Sequence, residues 1–138
     1  SVIDLKALGE RTITLDCDVI QADGGTRTAA ITGAFVALAR ACAYLRAEQV
    51  IKANPISGQV AAISCGVFDV APVHDLDYAE DSSAEADANF VLSGDGRIIE
   101  LQATGEKRPF SDQEFADLMR LAKLGCARLF ELQRAAIG

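Results

Sequence analysis

Thr12-Ile13-Thr14-Leu15-Asp16-Cys17-Asp18-Val19-Ile20 sets Ile13, Leu15, Cys17 and Val19 against Thr12, Thr14, Asp16 and Asp18, the two-residue period of a half-buried strand. Asp23-Gly24-Gly25 ends it. From Thr26 the spacing changes to three and four, through Ile31, Ala34, Phe35, Leu38, Cys42 and Leu45, and predicts a helix. Asn54-Pro55 and Ser57-Gly58 mark a loop. Gln59 to Phe68 is then β-rich and almost uninterrupted in apolar and small residues, as in a central strand covered on both faces. Pro72 to Leu76 can pair with it as a hairpin, followed by a short helical piece. Asn89 to Leu92 and Arg97 to Ala103 form a second hairpin about Gly94-Asp95-Gly96. Ser111-Asp112-Gln113-Glu114 is a capping box. It opens a last helix with Phe115, Leu118, Ala122, Gly125, Leu129, Leu132 and Ala136 on one face. The predicted order β-α-β-β-(short α)-β-β-α gives an α+β fold, with a mixed sheet packed against two long helices.

The chain has 138 residues, half of them hydrophobic, which fits one core and one domain over residues 1–138 and excludes a disordered or fibrous chain. The uncharged stretch between Arg27 and Arg40 falls short of the roughly 20 apolar residues that cross a bilayer, so no membrane span is predicted. The first residues carry neither a basic start nor an apolar run, and a cytoplasmic location is the expectation. Cys17, Cys42, Cys65 and Cys126 form no CxxC pair, and His74 is the single histidine. Buried reduced thiols, not a zinc site, are predicted.

Charge is unevenly placed. Thirteen Lys and Arg stand against 20 Asp and Glu, for a net charge of −7. Seven acids and no Lys or Arg lie between Asp69 and Asp87, so the whole imbalance sits there. Such a stretch is either a solvated face or a divalent-cation site. Asp81 and Asp87, six apart, cannot share a face of one helix. They meet one ion only if the chain turns or enters a strand between them, which Ser82, Ser83, Ala84 and Ala86 permit. Asp75 and Asp77 are further candidates.

The second candidate site is Asp23-Gly24-Gly25-Thr26-Arg27-Thr28. At a helix start, free N–H groups and the helix dipole favour an anion. Two glycines let the backbone approach, the Thr26 and Thr28 hydroxyls can donate, and Arg27 offers a planar fork to phosphate oxygens. A plain Gly-Gly turn with a threonine cap also accounts for the loop, apart from Arg27.

Asp16 through Ala34, with its Asp23-Gly24-Gly25-Thr26-Arg27-Thr28 centre, resembles the signature of the ribonuclease PH family. So do Val60-Ala61-Ala62-Ile63-Ser64, Asp75-Leu76-Asp77-Tyr78 with Glu80-Asp81, and Leu132-Gln133-Arg134-Ala135-Ala136. The resemblance implies that Gly25, Thr26 and Arg27 bind the attacking inorganic phosphate, and that Asp81 and Asp87 are catalytic and hold Mg²⁺. It further implies phosphorolytic 3′→5′ trimming of RNA, notably tRNA precursor ends, with release of nucleoside diphosphates by a homo-oligomer, typically a hexameric ring. A catalytically silent exosome-type ring subunit and a structural interaction module are the alternatives. Intact Arg27, Asp81 and Asp87 argue against the first.

Val70 stands where the family usually has a hairpin glycine and His74 where it has leucine, while Ala103 and Gly105 alter the usual Gln-Gly-Thr-Ala-Glu stretch. His74 is expected to be half-buried and not a base. Ser1 to Leu5 corresponds to an internal segment of the family. The resemblance thus implies that an upstream part, with a further phosphate-binding arginine and most RNA-contacting basic residues, is supplied in cis or as a separate chain. The 138 residues alone are expected to associate or be poorly soluble, and to lack phosphorolytic activity.

Overall fold

The computed structural model describes residues 1–138. A single helical turn, α1 (Leu5–Leu8), is followed after an extended stretch by the long helix α2 (Thr26–Ala47). Then come β1 (Val60–Phe68), β2 (Ala71–His74), the short helix α3 (Tyr78–Ser83), β3 (Ala86–Ser93), β4 (Ile98–Gly105) and the closing helix α4 (Asp112–Ile137). The fold is α+β, and the sheet order is β2-β1-β3-β4.

Every strand pair is antiparallel, which corrects the mixed sheet expected from sequence. The reason lies in the connections. Asp69-Val70 joins β1 to β2, the four residues Gly94–Arg97 join β3 to β4, and only one short helix separates β2 from β3. A parallel neighbour needs a crossover of a dozen residues or more.

Alternation along the strands gives the sheet two different faces. Ala61, Ile63, Cys65 and Val67 of β1, with Ala86, Ala88, Phe90 and Leu92 of β3, meet Leu118, Ala122, Cys126 and Phe130 of α4 in one core cluster. The buried stripe of α4 therefore runs through Cys126, Phe130 and Gln133, whereas Leu132, expected inside, is 50% exposed. The capping box at Ser111 and Glu114 forms as predicted. Arg108 ties Glu114 to Glu85, at 2.7 and 2.5 Å, fixing the start of α4 to the chain ahead of β3.

α2 packs against β1 where β2 stops. Along that open edge the Thr32 hydroxyl donates to the Ala62 carbonyl and accepts from the Ala62 N–H, replacing the missing strand partner. The Gln133 side-chain amide donates to the carbonyls of Thr32 and Val60, so one buried side chain joins α4, α2 and β1. By length and composition α2 does reach membrane-spanning dimensions, a 22-residue helix containing an 18-residue window of mean hydropathy 1.5, because the apolar pattern runs on past Arg40. Its hydrogen bonds to the sheet edge and the buried Phe35 and Cys42 make it a packed helix of this fold.

The stretch Thr12–Ile20 is the largest departure from the sequence reading. It forms no strand. Its alternation is real, but no strand of the described chain lies beside it, and Leu15, Val19 and Ile20 are 41%, 54% and 96% exposed. Cys17 is exposed for the same reason, while Cys42, Cys65 and Cys126 are buried as expected. Burial pushes the Cys65 thiol up to about 12 and the Cys126 thiol up to about 11, so both stay protonated and pack as small apolar groups.

Candidate phosphate and carboxylate site

The first turn of α2 differs from the starts of the other helices. Gly25, its N-cap, sits in the left-handed region at φ 73° and contributes no side-chain cap. In contrast, Asp4, Asp77 and Ser111 cap the other three helices. The leading N–H groups of α2 are thus left without a side-chain cap, at the positive end of the dipole. A side chain at Gly25 would come within 2.9 Å of the Ser64 hydroxyl oxygen, so the loop is seated on β1.

Strand register locates the rest. Residues paired across antiparallel strands point off the same side, and Ala62↔Val91↔Glu100, Ser64↔Asn89↔Gln102 and Gly66↔Asp87↔Thr104 are such rows. Ser64, Asp87 and Glu100 therefore share the face opposite the α4 core. Arg27 reaches across it, one guanidinium nitrogen donating to Glu100 at 2.7 Å. One contact leaves most of the fork free. Thr104, the partner of Asp87, lies four positions beyond Glu100 on β4, so the Arg27 contact and Asp87 lie about 13 Å apart along the strands.

Asp81 and Asp87 occupy two elements, the arrangement the sequence reading set as the condition for facing one ion. Asp81 is exposed on α3, and Asp87 is half-buried on β3. Burial first, then a hydrogen bond to the Glu106 carboxyl, raises the Asp87 carboxyl above the ordinary range. Asp77 is used structurally, its side chain accepting from the Glu80 N–H in a capping box. Asp75 takes a left-handed φ of 58° and donates its N–H to the Ser64 carbonyl. His74 is exposed on the edge strand β2, not half-buried. No three His, Cys, Asp or Glu side chains converge on one point.

The loop and α3 are docked directly. A side chain on Gly24 would meet the Leu76 carbonyl oxygen at 2.1 Å, so glycine is required by close backbone approach. Leu76 in turn covers Gly66, whose missing side chain leaves room for the leucine methyls. Asp23 accepts from the Tyr78 N–H at 2.6 Å. The sequence reading included Asp23 and Ser64 in its motifs without giving either a role, and it singled out neither Glu100 nor Glu106. Strand parity could have placed Glu100 and Asp87 on one face. Nothing local pointed to the Asp23 contact, which spans 55 positions.

Residues 58–125 match the 3′ exoribonuclease family, domain 2, a span that includes Asp81 and Asp87 but not the Gly25 loop. Over all 138 residues the chain is 69% identical to Ribonuclease PH of Caulobacter vibrioides, both in strain NA1000 / CB15N and in strain ATCC 19089 / CIP 103742 / CB 15. It spans 58% of the length of each. Among solved structures, rice (Oryza sativa) Rrp46 superposes with a TM-score of 0.66 over 86% of this chain and 50% of that one, at 20% identity. That likeness concerns the fold. The domain match over residues 58–125 and 69% identity along the whole of this chain agree in making it similar to ribonuclease PH, and the superposition adds a likeness of fold.

Proposed function

We propose that the full-length protein is a phosphate-dependent 3′→5′ exoribonuclease that trims tRNA precursor ends and releases nucleoside diphosphates. The observation that carries this reading is the uncapped first turn of α2, with Arg27 beside it, on the same sheet face as Asp87. Inorganic phosphate is held by the leading N–H groups of α2, the Thr26 hydroxyl and the free donors of Arg27. Glu100 steadies the guanidinium from its far side. Catalysis is then positioning plus charge: phosphate is oriented toward the terminal phosphodiester, and the leading amides and Arg27 stabilise its charge in the transition state.

Asp81 and Asp87 are the residues that would hold Mg²⁺. The donor set fits, because Mg²⁺ is usually bound by one or two carboxylates plus substrate phosphates and not by an all-protein cage. When bound, the ion neutralises charge on the phosphoryl oxygens. Asp81→Asn and Asp87→Asn are each expected to remove most Mg²⁺-dependent activity while leaving RNA binding in place.

The RNA-contacting basic surface and the partner for Thr12–Ile20 come from the remainder of the family's length, in cis or as a second chain, and a ring, hexameric in this reading, completes the particle. The exposed Leu15, Val19 and Ile20 support this, since several large apolar side chains on one short segment are rarely left in water together. The test is product identity. Full-length protein given tRNA precursor, Mg²⁺ and phosphate should release nucleoside diphosphates, and nucleoside monophosphates would show hydrolysis instead.

A further inference from the structure

We propose that Asp23 is a positioning residue that fixes the phosphate loop to the helix carrying Asp81, and so sets the spacing between bound phosphate and the carboxylate site. The inference rests on the phosphorolytic reading above. Its observations are separate from the ones that support that reading.

One Asp23 carboxylate oxygen accepts two N–H groups, Gly24 at 2.9 Å and Tyr78 at 2.6 Å. The Gly24 bond holds the carboxylate to its own loop, two residues ahead of Thr26. The Tyr78 bond reaches the first residue of α3. Each helix start leaves four N–H groups without partners. In α3 the Asp77 side chain takes the Glu80 N–H, the third position, and Asp23 takes the first. Local sequence therefore caps only part of α3, and the loop adds a partner for the Tyr78 N–H.

Backbone contact reinforces the link. Gly24 lies against the Leu76 carbonyl and Asp77, so closely that any side chain would collide. Loop and helix are pressed together at Gly24 and pinned at Asp23. Arg27 follows the pin by four residues in one direction, and Asp81 follows Tyr78 by three in the other. A shift at the pin therefore changes the distance between the two halves of the site without touching either half. A displacement of about 1 Å is enough to cost on the order of 100-fold in rate, whereas a ligand loop that stays intact keeps its affinity.

The experiment compares Asp23→Ala, Asp23→Asn and Asp23→Glu in the full-length protein, using RNA, Mg²⁺ and varied inorganic phosphate. Asp23→Ala should lower kcat by roughly 10- to 100-fold with the phosphate KM changed by less than about threefold. Asp23→Asn keeps an oxygen in the same place and should recover most of kcat. Asp23→Glu keeps the charge but moves the oxygen by one methylene, and should not. Exchange of the Tyr78 amide with solvent should speed up in Asp23→Ala and stay slow in Asp23→Asn. A phosphate-dependent wild type beside an Asp23→Ala variant of unchanged kcat per folded molecule would overturn the proposal alone. Full recovery in Asp23→Glu would also do so, showing that charge and not position matters. A wild type that trims RNA equally well without phosphate would overturn the reading of the site, and the proposal with it.

Discussion

The two faces of the β1–β3 pair are built from alternate residues of the same strands and do opposite work. Toward α4 point Ile63, Cys65, Val67, Phe90 and Leu92, closed into a core without a charged group. Toward the other side point Ser64, Gly66, Asp87 and Asn89, small or polar residues that let a loop approach and leave a carboxyl at its edge. The period of two that makes a strand thus separates stability from chemistry residue by residue. Two acids titrate in opposite directions. At the start of α4, the Arg108 guanidinium beside Glu114 holds that carboxyl down at about 2. On the site face, burial and the neighbouring Glu106 push Asp87 up.

The sharpest way to break this comparison is to cut into each face in turn. Phe90→Ala, at a fully buried position, should cost about 3–5 kcal/mol of stability and leave kcat of the folded full-length enzyme unchanged. Denaturant unfolding beside an activity assay checks both. Gly24→Ala sets a methyl group against the Leu76 and Asp77 backbone and should also cost about 1–3 kcal/mol or more, yet unlike Phe90→Ala it should impair activity as well, because the methyl group pushes the loop away from the chain leading into α3. If Phe90→Ala lowered kcat per folded molecule as much as Gly24→Ala, the faces would not be separable.

A smaller effect is expected at the β1–β2 turn, which belongs to neither face. Asp69 and Val70 both have positive φ, 48° and 63°, the two-residue geometry that favours glycine or asparagine. A β-branched residue there is strained by about 1–2 kcal/mol. Val70→Gly should therefore raise stability by about 1 kcal/mol with no change in activity, read from the same unfolding curves.

The pH dependence should be smallest and opposite in sign for the two acids. Glu114 has a folded value below its ordinary 4.5, so its contribution is present above that pH and is lost as pH falls toward about 2. Asp87 has a folded value above its ordinary 3.8, so its contribution is present below that pH and is lost as pH rises through the raised value. Asp87→Asn should accordingly raise the melting temperature at pH 7 and have little effect at pH 3. Millimolar Mg²⁺ should raise the melting temperature of the wild type at pH 7 more than that of Asp87→Asn.

Much of this architecture could be read from residue spacing. The capping box at Ser111, the apolar run from Gln59 to Phe68 and the turn at Gly94-Asp95-Gly96 depend on neighbours within a few positions, and each appears where expected. Thr12–Ile20 failed for the complementary reason. Alternation states that a segment can be a strand, but a strand also needs a partner, and partners are set at long range. The site divides in the same way. Gly25, Thr26 and Arg27 could be picked out as candidates because a glycine-rich helix start is a local pattern. The seating of Gly25 on Ser64, the Arg27–Glu100 pair and the Asp23–Tyr78 bond join segments 39, 73 and 55 positions apart, and no local pattern encodes them.

The central claim is that the Gly25-Thr26-Arg27 loop binds the phosphate that attacks RNA. The most direct test is the phosphate dependence of nucleoside diphosphate release by full-length wild type, Arg27→Ala and Arg27→Lys. The account predicts a loss of about 10²- to 10³-fold in Arg27→Ala, the range for removing one preorganised donor, with a raised phosphate requirement and only partial recovery in Arg27→Lys. The melting temperature should barely move, because the Arg27–Glu100 pair is 48% and 39% exposed. An Arg27→Ala enzyme whose phosphate saturation curve superposes on that of the wild type would contradict the account.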